Sequence, residues 1–350
     1  MTRRWTAEPP PEKLYKLAMR RRTLLAAAPL ALAGCGREEA RRPAAAGPAR
    51  TAVRFATDWR AQAEHGGWYA AVAGGEFARR GLDVTITPGG SGSGAPQLLA
   101  AGAVDMAVGS NGFTLLNLLR ERAGIRAVAA AFQKDPQVLI AHPNSDVARL
   151  EDSARDRPIL IAPGGVATLW PWLKARAGVV DAQRRSYSGG PAAFLADKRA
   201  LQEGYLTSEP YVIAKATGEE PMVLLLADHG YNGYAAMVMA TDRWIAERPG
   251  AVQAFVDATA AGWRTYLHGD PGPADALILR DNPQMRPDVL QQARDKLLRF
   301  GIVEPEGGAP VGTMTAQRWS EFADMARELK LAPAGLDVSG AYTLAFPPRP

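Results

Sequence analysis

From Thr51 onward the chain alternates short apolar runs of strand character with stretches in which apolar residues recur at helical spacing. This alternation limits the fold more than any other feature. A strand that must run parallel to its neighbour needs a long crossover, and a helix that covers the sheet supplies it. Val53–Thr57 reads as a strand, and Trp68 to Arg80 as a helix stopped by Gly81. Leu82–Thr87 alternates as a strand does, and a helix follows through Leu98 and Leu99. Val104–Val108 is a third strand and Phe113–Arg122 a third helix. The order predicts an α/β chain with a mostly parallel sheet covered by helices.

Two further strands fall between Arg126 and Ile140, and His142-Pro143-Asn144 breaks the pattern. A second α/β block runs to about Asp228, with a strand at Pro158–Ala162, a helix at Thr168–Arg176 and a strand near Arg184–Tyr187. The chain returns through Tyr234–Thr241 to helices at Arg243–Glu247, Val252–Leu267, Arg286–Phe300 and Ala316–Leu329. With 350 residues, of which 47% are hydrophobic and 22% charged, wholesale disorder, collagen and coiled coil are excluded.

The formal charge of +5 invites a nucleic-acid reading until it is partitioned. Residues 1–34 carry seven basic residues (Arg3, Arg4, Lys13, Lys16, Arg20, Arg21, Arg22) against Glu8 and Glu12, which leaves the remaining chain neutral. No basic patch for a phosphate backbone is implied, and nucleic acid is excluded as a partner. The basic cluster precedes Thr23-Leu24-Leu25-Ala26-Ala27-Ala28, the start of an apolar run too short to span a bilayer, as in a secretory signal. The arginines also permit a twin-arginine route, and Met19 is a better initiator than Met1. The only cysteine, Cys35, closes Leu32-Ala33-Gly34-Cys35, which resembles the bacterial lipobox. That resemblance implies cleavage before Cys35 and a lipid anchor on its thiol, so residues 1–34 are read as signal peptide and 35–50 as a lipidated tether. One cysteine leaves no disulfide scaffold, and the four scattered histidines lack zinc-ligand spacing. No cofactor is called for.

Ligands of open α/β sheets sit beyond the carboxyl ends of the strands. Asp58-Trp59 ends the first strand there, and His65 stands at the opening of the first helix. Asp58 can accept two N–H donors, and Trp59 offers a stacking face. A capping Asp and a core Trp would satisfy the same residues equally well. Ser110-Asn111, after the third strand, is a helix cap by default and a ligand contact by position. Gly89–Gly94 is rich in glycine and serine and follows the second strand, which fits a plain turn better than a dinucleotide loop. In Gly204–Tyr211, Tyr205 and Glu209 could face one cleft, or else Ser208 and Pro210 simply start a helix. Gly-x-Ser-x-Gly, His-Glu-x-x-His and the P-loop are absent.

Phe55-Ala56-Thr57-Asp58-Trp59, Glu64-His65-Gly66-Gly67-Trp68-Tyr69 and Gly75-Glu76-Phe77-Ala78-Arg79-Arg80-Gly81-Leu82-Asp83-Val84 resemble the opening of the thiamine-pyrimidine binding proteins. These belong with the sulfonate and nitrate binding proteins of ABC importers. Leu98–Asp105 and Gly204-Tyr205 with Ser208-Glu209-Pro210 continue the likeness, which covers about Val53 to Leu267. The resemblance implies a two-lobe periplasmic binding protein of type II, with two segments crossing at a hinge. Residues 51–140 and 235–350 would form lobe 1, and 141–234 lobe 2. It implies a small-molecule solute held by Trp59, Asp58, Glu209, His65 and Tyr205; Ser110 and Asn111 enter from strand-end geometry alone. It also implies an ABC permease and its ATPase as partners, with membrane contact through the lipid anchor only. The same fold and His position occur in a fungal enzyme that makes the thiamine pyrimidine from pyridoxal phosphate. Its Cys-Cys-Cys-Phe-Cys iron motif is missing here, so a synthase is rejected. Between Trp59 and His65 this chain has Arg60-Ala61-Gln62-Ala63-Glu64 where the pyrimidine binders usually have Pro-Asn. Two alternatives to an aromatic or heterocyclic solute stand beside it: a sulfonate, nitrate or other anion on the same scaffold, and an envelope enzyme using His65 as base or nucleophile.

Overall fold

The computed structural model describes residues 49–90 and 94–349. Cys35, the leader and most of the tether lie outside the described residues, as do Ser91-Gly92-Ser93 of the glycine-serine turn. Two five-stranded sheets organise the chain. The first contains β1 (Thr51–Ala56), β2 (Leu82–Thr87), β3 (Met106–Asn111), β4 (Ile125–Phe132) and β10 (Ala235–Thr241), in the order β2-β1-β3-β10-β4. The second contains β5 (Gln137–Ala141), β6 (Ile159–Ile161), β7 (Arg184–Ser186), β8 (Leu201–Tyr205) and β9 (Met222–Leu225), in the order β7-β6-β8-β5-β9. The chain therefore passes between the sheets twice, after β4 and after β9. Lys134 in the first passage pairs with Asp228 in the second at 2.9 Å.

The α/β class holds, but neither sheet is mostly parallel as the strand–helix alternation suggested. In the first, β1 runs parallel to β2 and β3, while β10 is antiparallel to β3 and β4. In the second, β6 is parallel to β7 and β8, while β5 is antiparallel to β8 and β9. The reversed strand in each sheet is the one that arrives from the other sheet. It has no covering helix to turn it back into the parallel sense.

Local chemistry explains most element ends. The helical pattern expected to run unbroken from Trp68 to Arg80 divides into Gly66–Ala73 and Glu76–Arg79, because Gly75 takes a left-handed φ of 71°. The helix Gly66–Ala73 packs against Pro249–His268 at unusually close range. A Cβ on Gly66 would overlap the Tyr266 ring, one on Gly67 the Trp263 ring, and one on Gly262 the Gly67 carbonyl. Trp68 is fully buried there and its indole N–H donates to Thr259 Oγ1 at 3.2 Å. The Gly66-Gly67-Trp68 run is thus a helix-packing seam. The apolar spacing also left several elements unread: β8, β9, and the helices Ala192–Ala196 and Gly272–Asp281. Among the described residues no helix is long and apolar enough to cross a membrane.

Candidate functional site

A cleft of about 560 Å³ lies where the carboxyl ends of β1, β3 and β8 and the turn after β6 converge. That volume suits a small molecule. Asp58, Trp59, His65, Ser110, Asn111, Tyr205 and Glu209 all line it. The structure thus brings all seven predicted residues into one wall system, drawn from both sheets.

Their individual states differ. The His65 ring, buried in the first helical turns, has Nε2 3.1 Å from Asp58 Oδ1. The other ring nitrogen, Nδ1, is buried with no partner among the described residues. Asp58 thereby orients the ring while remaining at the cleft surface. Trp59 is half-buried, and its carbonyl is fixed by Thr57 Oγ1 at 2.8 Å and the Gly89 N–H at 3.0 Å. Its indole packs against the apolar cluster of the second sheet that includes Val138, Ile140 and Tyr187. An aromatic plate borne by the first sheet therefore rests on the second.

Asn111 caps the helix Gly112–Arg120, its Oδ1 accepting from the Thr114 N–H at 3.3 Å. Its default role as a cap is real, whatever else it touches. Glu209 opens the helix Glu209–Thr217, with Ser208 before it and Pro210 in the first turn. Glu209 Oε1 accepts from the Tyr187 hydroxyl at 3.1 Å, and Oε2 from the Tyr205 N–H at 2.8 Å. Gly204 is glycine because a Cβ there would come within 2.8 Å of Glu209 Cβ. The Gly204-Tyr205 … Glu209-Pro210 run is thus a strand-to-helix corner closed by its own carboxylate.

Two further carboxylates line the cleft: Glu64, which the sequence offers only as a residue beside His65, and Glu203, which it does not single out. Glu64 is buried at the cleft wall, accepts a hydrogen bond from the Thr207 hydroxyl, and is pushed up by burial. Glu203 lies in β8 with Oε1 accepting from the Ala162 N–H at 2.6 Å; burial pushes its carboxyl up to about 8. Neither has a local signature. Glu64 sits inside an apparent helix start and Glu203 inside a strand that the apolar pattern did not show. Asp135, in the first passage between the sheets, is also buried and pushed up to about 7, chiefly by burial, with Asp58 adding to it.

The electrostatic character of the cleft is one-sided. Asp58, Glu64, Glu121, Glu203 and Glu209 line it, and among the described residues no Lys or Arg does. Arg60, adjacent to Trp59, turns elsewhere: its guanidinium reaches the Ser188 carbonyl and Gln284 Oε1, each at 3.4 Å.

Comparison with known proteins agrees with this architecture. The chain is 22% identical over 290 residues to the formylaminopyrimidine-binding protein of Halalkalibacterium halodurans, covering 77% of this chain and 82% of that one. It superposes on the periplasmic aliphatic sulphonate binding protein SsuA of Escherichia coli with a TM-score of 0.60 at 15% identity, over 83% of this chain and 91% of that one. For the periplasmic nitrate-binding protein NrtA of Synechocystis PCC 6803 the TM-score is 0.59 at 14% identity, over 85% and 87% of the two chains. Likenesses at this identity establish the fold, which is that of the periplasmic binding proteins. The model of the family described as NMT1/THI5 like matches residues 62–274, well over half of the sequence, and the chain belongs to that family.

Proposed function

We propose that this chain is the extracytoplasmic solute-binding component of an ABC importer. Its cleft takes a small aromatic heterocycle rich in N–H donors, an aminopyrimidine of the thiamine-precursor kind. The observation that carries this reading is the lining: five carboxyl groups, an indole and no Lys or Arg among the described residues. A sulfonate or nitrate placed there would meet carboxyl groups and no Lys or Arg among the described residues, which a site of low dielectric penalises. An amino-substituted ring is suited on both counts, since its N–H groups find carboxylates and its face finds Trp59. The Halalkalibacterium halodurans relative is named for a formylaminopyrimidine, a solute of the same chemical class.

In this reading each sheet with its helices is one lobe, the two passages between them form the hinge, and no bond is made or broken. Binding selects the closed arrangement, because the solute contacts both lobes only there. Lobe 1 would comprise about residues 51–132 with 235–349 and lobe 2 about 137–225, since β5 (Gln137–Ala141), which a boundary at 140 leaves in lobe 1, belongs to the second sheet. The permease and its ATPase would read closure from outside, with Cys35 as the lipid tether that keeps the protein at the membrane. Isothermal titration with hydroxymethylpyrimidine and a formylaminopyrimidine, against an alkanesulfonate and nitrate, tests the assignment. Saturable heat is expected from a pyrimidine and none from the anions. Binding of an anion with silence from both pyrimidines overturns it.

A further inference from the structure

Glu203 presents one satisfied oxygen and one that is not. β8 lies between β6 and β5, so the Glu203 side chain rises beneath the turn Ala162–Gly165 that follows β6. Oε1 accepts from the Ala162 N–H at 2.6 Å. Oε2 is buried and has no hydrogen-bond partner among the described residues, and the side chain, 5% exposed as a residue, forms part of the cleft wall. Gly165 makes room for that oxygen, since a Cβ there would overlap it, and Gly164 beside it has open space around it. A buried polar atom left without a partner costs about 1–3 kcal/mol, so a fold keeps one only for a reason.

Glu209, the acidic residue that the family resemblance points to, is in the opposite condition. Each of its oxygens already holds a donor, Tyr187 Oη and the Tyr205 N–H. It is occupied in closing the corner between β8 and its helix.

We propose that Glu203, through Oε2, is the carboxyl of the second sheet that receives an N–H of the solute, and that Glu209 is a positioning residue for the cleft wall. The inference rests on the reading of the cleft as a site for N–H-rich planar solutes. The solute edge it fits is amidinium-like: a planar, delocalised cation such as a protonated aminopyrimidine presents.

The surroundings of Glu203 support a proton-coupled version of this contact. The titratable groups that bear on it are Glu209 from the following helix, Tyr187 beyond β7 and Tyr231 before β10, all acidic types. Burial, with no Lys or Arg in the lining among the described residues, pushes the solute-free carboxyl up to about 8, so at about pH 6 it holds its proton. When a permanent cation arrives, its N–H takes the place of that proton, which leaves Oε2 for solvent.

Calorimetry on the full chain tests the assignment with two probes, hydroxymethylpyrimidine and the permanent amidinium benzamidine. Glu203→Gln keeps an oxygen for the Ala162 N–H and turns an amide N–H₂ toward the solute. It is expected to weaken both probes at least about tenfold, as loss of a charged hydrogen bond does. Glu209→Gln keeps an acceptor for Tyr205 and, acting only through the wall it positions, is expected to weaken the probes less than Glu203→Gln does. At about pH 6 the wild type should release about one proton on binding benzamidine, read from the difference in heat between buffers of unlike ionisation enthalpy. Glu203→Gln should release none. Wild-type affinity in Glu203→Gln, or an equal loss in Glu209→Gln, overturns the assignment. Glu203-dependent binding of benzamidine with silence toward the pyrimidine sinks the heterocycle reading alone, and silence toward both probes sinks both.

Discussion

The Glu64 carboxylate accepts a hydrogen bond from the Thr207 hydroxyl, and both side chains are buried where the two sheets meet. Glu64 precedes the first long helix of the first sheet, and Thr207 lies in the corner between β8 and the helix Glu209–Thr217. The same corner is held from the other side by Gln292, whose amide donates to the Thr207 carbonyl, and by Lys296, whose Nζ donates to the Leu206 carbonyl at 3.0 Å. One short loop therefore receives three polar contacts from residues distant in sequence.

Thr207→Val leaves Glu64 buried without its donor and keeps the side-chain volume. Thermal and urea unfolding should show a loss of about 1–3 kcal/mol. An unchanged midpoint would mean that the bond carries no net stability.

Glu203 and Asp135 make stability depend on pH in an unusual direction. Their folded values, about 8 and about 7, lie above the reference values of 4.5 and 3.8. Between those limits the folded chain holds protons that the unfolded chain has released. The associated stability is complete below about pH 4 and is lost as pH rises through about 7 and about 8. Unfolding at a series of pH values should show this decline, and Glu203→Gln should remove the part that extends above about pH 7. A Glu203→Gln curve parallel to wild type would refute the assignment of that part to Glu203.

Asp58→Asn removes a carboxylate from the cleft and weakens the orientation of His65. Affinity for an aminopyrimidine should fall about tenfold or more, because a hydrogen bond to a charged group is worth about 1.5–3 kcal/mol. Affinity for a sulfonate should rise if it changes at all. Titration of the variant with both solutes checks the sign.

Trp59→Ala should weaken the same pyrimidine by about 0.5–1.5 kcal/mol, the usual worth of an aromatic stack beyond its area. Trp59→Phe should recover much of it. Equal affinity across the three proteins would place the solute away from the indole.

Gly262→Ala is expected to be destabilising by about 3 kcal/mol, at the upper end for overpacking, because the new Cβ meets the Gly67 carbonyl and the Ala71 Cβ. The helices Gly66–Ala73 and Pro249–His268 would have to separate. A denaturation midpoint near that of wild type would show that the seam yields easily.

Much of this protein was legible along the chain. Strand runs such as Leu82–Thr87 and the amphipathic helix Ala316–Glu328 follow from side-chain period, which is local. The place of Asp58 and Ser110-Asn111 at strand ends followed from the same reasoning, and the structure puts them in the cleft. The glycines after His65 enter the sequence reading only as part of the family resemblance. They prove to be contact points for Trp263 and Tyr266, partners nearly two hundred positions away.

What the sequence determined by itself was therefore the α/β class, the strand-end position of the first site residues and the family resemblance, all carried by neighbouring residues. Only the tertiary structure decided which sheet each strand joins, that β5 and β10 run antiparallel, and which acidic side chains share a wall. It also decided that each Glu209 oxygen holds a donor while Glu203 Oε2 has none among the described residues. The reason is physical: whether a carboxyl is solvated, paired or stranded depends on burial and on donors that only the packed chain brings within hydrogen-bond reach.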